Sequence, residues 1–172
     1  MRIGPRQHAP RGFTLLEALI ASFIVAVAAT GVGSMLAASS QQSQSMNDSS
    51  ISQALARQLM EEIASHPIEN ANGAISCGHE SGETTRASYD QIDDYCEYAD
   101  ATSSIQMLDG TTIDLGDRQT YTRQVAVQYR QTPSGPLYSG SDAPFCVVTV
   151  TVTAEDGKSV KLVRLFARTK AG

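Results

Sequence analysis

An apolar run of 21 residues that contains no charged side chain, residues 18–38, constrains the fold of this chain more than any other feature. In a helix such a run is about 30 Å long, which is the thickness of the hydrocarbon core of a bilayer. Basic residues precede the run and essentially none follow it closely, so the N-terminus is expected on the cytoplasmic side. We therefore predict a membrane-spanning helix, with the rest of the chain on the side of the membrane opposite the N-terminus.

A basic leader of 12 residues with three arginines precedes this run, and the sequence GFTLLE at residues 12–17 joins the two. Glu17 stands at the head of the predicted helix. A carboxylate at that place is costly in lipid unless a partner neutralises it. The junction therefore indicates a membrane-anchored precursor. Its leader is removed before the protein functions at another location.

Residues 11–38 resemble the class III signal of the type IV pilin and type II secretion pseudopilin superfamily. The resemblance implies that a prepilin peptidase cuts between Gly12 and Phe13 on the cytoplasmic face of the membrane and N-methylates Phe13. It also implies that Glu17 pairs with the charged N-terminus of a neighbouring pilin or pseudopilin during assembly by inner-membrane machinery. Without its neighbour's ammonium group, the Glu17 carboxylate would lie unpaired in an apolar filament core.

Major pilins commonly carry a helix-kinking proline in the apolar run, and this chain has none there. Gly31 and Gly33 could loosen the helix instead. The absence of proline favours a minor pilin or pseudopilin, which is a structural subunit of a type IV pilus or a type II secretion filament. The implied location is the bacterial inner membrane, with a single pass and a periplasmic C-terminal domain, and afterwards an envelope filament.

One long helix is predicted over residues 14–65, with its first half in the membrane and its second half continuing past the membrane as an amphipathic segment. Ile51, Leu55, Leu59 and Ile63 recur at every fourth residue, and Pro67 follows the end of the pattern. This stripe is expected to pack against a sheet.

Three strand patterns at residues 121–130, 145–153 and 159–168 predict that sheet, and an Asp-Gly turn joins the last two as a hairpin. A long N-terminal helix on a small antiparallel sheet is an α+β fold, pilin-like by the resemblance. The predicted parts are a cleaved leader (1–12), a transmembrane or filament-core helix (13–38), its amphipathic continuation (39–66), a variable connecting region (67–118) and a sheet region (119–172).

Three cysteines, Cys77, Cys96 and Cys146, all lie beyond the apolar run, where export would allow a disulfide. Their spacing fits no zinc pattern. Cys77–Cys96 is the preferred pair because it closes a local loop, and Cys146 would then be a free thiol on a strand. A pairing of Cys146 with either of the others stays open.

The net charge of −5 becomes −8 if the leader and its three arginines are removed, which argues against direct nucleic-acid binding. No phosphate-binding loop, dinucleotide fingerprint or nucleophile elbow is present, so an enzyme is not expected. Loop carboxylates can hold calcium, but the sequence has no EF-hand spacing; solvated surface is the favoured interpretation and no cofactor is expected. The acidic residues form two groups: Asp90, Asp93, Asp94, Glu97 and Asp100, and then Asp109, Asp114 and Asp117.

The alternative to a filament subunit is a single-pass membrane-anchored or secreted binding domain that is not assembled into a filament. Its leader would only imitate the class III signal. The true start of the mature chain separates the two hypotheses.

Overall fold

The computed structural model describes residues 13–68, 77–100, 105–115, 120–138 and 142–168. Its one long helix, α1, spans Leu15–Ala64, and two single-turn 3₁₀ helices follow at Arg86–Ser88 and Asp93–Tyr95. The strands are β1 (Tyr121–Arg130), β2 (Phe145–Ala154) and β3 (Ser159–Ala167). The predicted α+β layout, a long N-terminal helix on a small antiparallel sheet, is confirmed.

The chain divides into two compact units, Met1–Ser45 and Met46–Gly172. The leader of residues 1–12, with Gly12 and the three arginines, lies outside the described residues, as does Asp117. The five-part division proposed from the sequence stays a prediction.

The ends of α1 are fixed by local hydrogen bonds. At its start, the Thr14 hydroxyl oxygen accepts a hydrogen bond from the backbone N–H of Glu17 at 3.3 Å, as N-cap side chains do. At its end, the backbone N–H groups of Ser65 and His66 bind carbonyls three residues back, which tightens the last turn before Pro67. Proline lacks an N–H group and cannot continue the helix.

Three hydroxyl groups within the apolar half of α1 bind the helix's own backbone. Ser22, Thr30 and Ser34 each donate to the carbonyl oxygen three residues earlier, at 3.0, 2.8 and 2.8 Å. Because these donors are satisfied inside the helix, the three side chains need no outside partner in an apolar surrounding.

In the second unit, β2 lies between β1 and β3 and is antiparallel to both. Val150 of β2 stands opposite Val125 of β1 and Leu162 of β3. Alternate β2 side chains are buried against the core, as expected for a strand with one face covered. The buried residues on this face of β2 are Cys146, Val148, Val150, Val152 and Ala154.

The hairpin between β2 and β3 uses the Asp-Gly turn that the sequence predicted. Gly157 has a φ of 79°, a left-handed conformation that glycine adopts without steric cost. The backbone N–H of Gly157 and that of Ala154 donate to the carbonyls of Ala154 and Lys158, each at 2.9 Å, and close the loop.

The last turns of α1 supply the other side of the core. Leu55, Leu59 and Ile63 of the predicted stripe are buried, whereas Ile51 is only half-buried. The connecting region adds fully buried Ile92 and Tyr95, which the sequence did not indicate as core residues because the region has no regular period.

We predict that Leu59→Ala lowers the free energy of unfolding of the second unit by about 2–5 kcal/mol, because Leu59 is fully buried and alanine would leave a cavity. Guanidinium unfolding of the full chain in detergent, followed by tyrosine circular dichroism, measures this change, since all six tyrosines lie in the second unit. Leu137→Ala makes the same substitution at a side chain that is 65% exposed and should change little. Equal losses in the two variants would contradict the prediction.

Candidate functional site

The first unit exposes an unusually apolar surface. Every described residue from 13 to 44 is exposed, including a dozen large apolar side chains between Phe13 and Leu36. Soluble monomers rarely expose a contiguous apolar surface of this extent, so lipid or other apolar helices should cover it. Among the described residues, α1 is the one helix long and apolar enough to cross a membrane, a test of length and composition that signal sequences also pass.

Glu17 and Phe13 lie together at the start of this surface. Phe13 is 78% exposed, and Glu17 is exposed in the first turn of α1. The positive end of the helix dipole stabilises a carboxylate at that position. Within the described part of the chain, no hydrogen bond or ion pair engages the Glu17 carboxylate. The structure therefore presents an acidic group at the head of an apolar helix, free to meet a partner from outside.

A buried ionic network organises the second unit. Arg123 on β1 is fully buried, and its Nε donates to Oδ2 of Asp100, whose side chain is 3% exposed. The Nη2 of Arg123 also donates to the Gln106 carbonyl at 2.8 Å. The hydroxyl of Tyr98 donates to the other carboxylate oxygen of Asp100 at 2.6 Å. Burial, together with this hydrogen bond to Asp100, raises the pKa of Tyr98 to about 12, so its hydroxyl stays a donor.

Arg86 extends the network to α1. It donates from Nη1 to the Tyr98 hydroxyl at 3.0 Å and from Nη2 to the Gln106 carbonyl at 2.6 Å. Its Nε forms an ion pair with Oε1 of Glu62 on α1 at 2.9 Å. The hydroxyl of Tyr95 donates to the same Glu62 oxygen at 2.9 Å. Burial and then the Glu62 carboxylate raise the pKa of Tyr95, so this hydroxyl also keeps its proton.

The disulfide joins Cys77 to Cys96, with 5.3 Å between their Cα atoms, and this is the pair that the sequence favoured. Cys146 is buried on β2 with a free thiol. Burial raises the pKa of that thiol to about 12, with a smaller contribution from Asp93, so it is a poor nucleophile near neutral pH.

Three carboxylates inside the disulfide loop come together. Glu83, Asp90 and Asp94 each offer one oxygen, and the three oxygens lie within 4.8 Å of one another. The Oδ2 of Asp94 accepts hydrogen bonds from the backbone N–H groups of Asp90 and Gln91, at 3.0 and 2.8 Å. The backbone N–H of Glu80 lowers the pKa of Glu83. Burial, the charge of Asp94 and a side-chain hydrogen bond with it, and the charge of Asp90 outweigh that effect, so the net direction is upward.

The expectation of a solvated acidic surface is wrong for part of the first acidic group. Asp93 and Asp94 are 3% and 2% exposed in their 3₁₀ turn, where Asp94 binds backbone N–H groups. Asp100 is drawn inside by the buried charge of Arg123. In the second group, Asp109 and Asp114 are exposed as predicted.

Comparison with known proteins identifies the N-terminal segment. Residues 8–33 match the family model of the prokaryotic N-terminal methylation motif. The match confirms the class III signal predicted from the sequence and supports a type IV pilin-like or pseudopilin precursor. No curated protein and no solved structure matches the chain significantly.

Sequence reasoning found the signal and the disulfide loop, but it missed the ionic network. A usable signal was present in the strand pattern, because Arg123 falls between Tyr121 and Val125 on the inward-facing side of β1. An arginine at such a position requires a buried acceptor, since an unpaired charge is too costly to bury.

We predict that Asp100→Asn lowers the free energy of unfolding of the second unit by about 3–5 kcal/mol, because it leaves the Arg123 charge buried without its counter-ion. The same tyrosine-detected unfolding measures the loss. Asp156→Asn makes the same change in an exposed ion pair with Lys158 and should leave the unfolding midpoint unaltered. A stable Asp100→Asn chain would show that the buried pair is dispensable.

Proposed function

We infer that this chain is a structural subunit, a minor pilin or pseudopilin, of a type IV pilus or a type II secretion filament. The observation that carries the proposal is the methylation motif at residues 8–33, which leads into the exposed apolar start of α1. A motif of this kind marks a precursor, and an uncovered apolar helix needs either lipid or neighbouring helices around it. The apolar helix of a filament subunit is surrounded first by lipid and then by neighbouring helices.

In this proposal, prepilin peptidase cleaves between Gly12 and Phe13 at the cytoplasmic face and methylates the new N-terminus. The precursor is held in the inner membrane by the first unit, with the second unit in the periplasm. Inner-membrane assembly machinery then moves the subunit into the filament beside other pilins or pseudopilins. The role is structural rather than catalytic, and no direct contact with nucleic acid is part of it.

Glu17 gives the proposal a physical test at one residue. A carboxylate inside an apolar helix bundle is strongly disfavoured unless an opposite charge accompanies it. Cleavage before Phe13 creates an ammonium group at the start of the same apolar surface. The Phe13 ammonium of one subunit and the Glu17 carboxylate of the next would then neutralise each other in the filament core.

The mature N-terminus tests the proposal directly. Mass spectrometry of the chain isolated from its native host should find N-methylated Phe13 as the first residue. Gly12→Val should leave the leader attached, because a bulky side chain replaces glycine at the cleaved bond, whereas Gly4→Ala in the leader should be processed normally. An intact Met1 would instead support the anchored binding domain. A start near Ser39, where the small residues Ala37 and Ala38 imitate a secretory cleavage site, would support the secreted one.

We predict that Glu17→Gln reduces incorporation into filaments about tenfold or more, because it removes the charge that neutralises a neighbour's ammonium; tenfold corresponds to about 1.4 kcal/mol. The fraction of subunit in sheared filaments, relative to the amount in the membrane, measures this. Cleavage and the unfolding midpoint of the second unit should stay unchanged.

The control for Glu17→Gln is Glu61→Gln, which neutralises an exposed carboxylate on the same helix. The Oε1 of Glu61 lies 3.4 Å from Nη1 of Arg164 in the second unit, outside the apolar surface. Incorporation should be normal in this variant. Equal incorporation of both variants and the unaltered chain would remove the assembly role from Glu17.

A further inference from the structure

We propose that the outer edge of β3 binds an extended acidic segment of a partner protein, which joins the sheet as an additional strand. In the part of the chain that the structure describes, β3 pairs with β2 alone, so one of its two sides is open. An open edge offers backbone N–H and C=O groups that an incoming strand can bind. The proposal does not depend on the filament role.

The register of the sheet shows which backbone groups of β3 face outward. The N–H of Ala154 donates to the Lys158 carbonyl, and that of Arg168 donates to the Pro144 carbonyl, each at 2.9 Å. Hydrogen-bonded pairs alternate along an antiparallel ladder, so the even-numbered residues of β3 bind β2. The backbone groups of the odd-numbered residues therefore point away from β2. These residues are Ser159, Lys161, Val163, Leu165 and Ala167.

The opposite edge of the sheet, on β1, is covered by the chain itself. The N–H of Val125 donates to the Tyr98 carbonyl at 2.8 Å, and the Tyr129 carbonyl accepts from the N–H of Tyr138 at 2.9 Å. Two separate connecting segments thus bind the backbone of β1 on its outer side. No segment among the described residues does so at β3, which makes β3 the edge that a partner can reach.

Two of the outward-facing residues also expose apolar side chains. Val163 is 59% exposed and Leu165 is 46% exposed. Both lie on the face of the sheet that is turned away from the core, opposite Thr149 and Val147 of β2. Apolar side chains of an added strand would cover them, which removes apolar surface from water and adds to the backbone hydrogen bonds.

The charge around β3 defines the chemistry of the partner. Residues 157–172 contain five of the 13 lysines and arginines and no aspartate or glutamate, although the net charge of the chain is −5. Lys161 is exposed and has no hydrogen bond or ion pair within the described residues. Arg164 forms an exposed ion pair with Glu61, and such pairs are weak. An acidic strand would therefore be attracted to this edge.

The same charge disfavours a second copy of this chain as the partner. Pairing of β3 with another β3 would bring two basic strands alongside each other, and like charges repel. A lysine on an edge strand commonly protects a protein from such self-association. Lys161 therefore opposes pairing between copies and favours an acidic strand of a different protein.

Binding of synthetic peptides to the full chain in detergent tests the proposal. The probe is a fluorescent peptide of about ten residues, the length of a long strand, that alternates valine and glutamate. We expect it to bind and to slow hydrogen exchange at the backbone amides of Val163 and Leu165, which face outward in the free chain. A peptide that alternates valine and lysine should bind about tenfold more weakly or less. Methylation of alternate backbone nitrogens of the valine–glutamate peptide keeps its charge, removes its donors and should also abolish tight binding.

Val163→Pro separates edge pairing from general attraction to a basic surface. The Val163 N–H points away from β2, so proline removes an edge donor without breaking the β2–β3 ladder. We expect the valine–glutamate peptide to bind this variant about tenfold more weakly, because the proline ring also obstructs the incoming backbone. Val163→Thr is the matched control, since threonine keeps the N–H and the branched shape, and its binding should stay within about threefold.

Lys161→Glu tests the charge at the same edge and should fold normally, because the Lys161 side chain is exposed and engages no described residue. Its preference should shift from the valine–glutamate peptide toward the valine–lysine peptide. The proposal is overturned if the valine–glutamate peptide does not bind the unaltered chain at about 1 mM. It is equally overturned if the methylated peptide binds as well as the unmethylated one, or if Lys161→Glu keeps the preference for glutamate. Protection of the β3 amides that rises with the concentration of the chain alone would assign the edge to a second copy and contradict the proposal.

Discussion

The ion pair between Arg123 and Asp100 is the interaction on which the arrangement of the second unit depends. A fully buried guanidinium is costly unless hydrogen bonds and an opposite charge surround it. Satisfying it requires the segment at Asp100 to lie along β1, where the Asp100 N–H donates to the Arg123 carbonyl at 3.0 Å. The Tyr98 carbonyl accepts from the Val125 N–H at 2.8 Å in the same ladder. The buried charge of Arg123 thus holds the segment around Asp100, which has no regular sequence pattern, at the edge of the sheet.

The helix and the sheet could be predicted because their signals are local. A four-residue spacing from Ile51 to Ile63 and strict alternation in β2 each indicate one buried face. Neither pattern depends on the rest of the chain. The positions of Ile92, Tyr95 and Asp100 could not be predicted in the same way. Their burial depends on partners 20 or more residues distant, such as Arg123, 23 residues beyond Asp100. Periodicity carries no information about such pairings.

The methylation motif was readable for a different reason. A peptidase and a membrane both act on a linear segment. The leader, residues 12–17 and the apolar run can therefore be recognised from their order in the sequence alone. The acidic connecting region is the opposite case. Asp90 and Asp94 looked like ordinary surface residues in sequence, and only the folded loop brings Glu83 beside them and buries one of the three.

The two units have separable physical requirements. The buried α1 residues lie between Ser52 and Ile63, within the second unit, whereas residues 13–44 are exposed throughout. The stability of the second unit therefore depends on its own core and ionic network, and the apolar first unit can be matched to lipid or neighbouring helices without disturbing it. If the chain is a filament subunit, features that distinguish it from other subunits belong in the second unit, where the disulfide loop holds its acidic group.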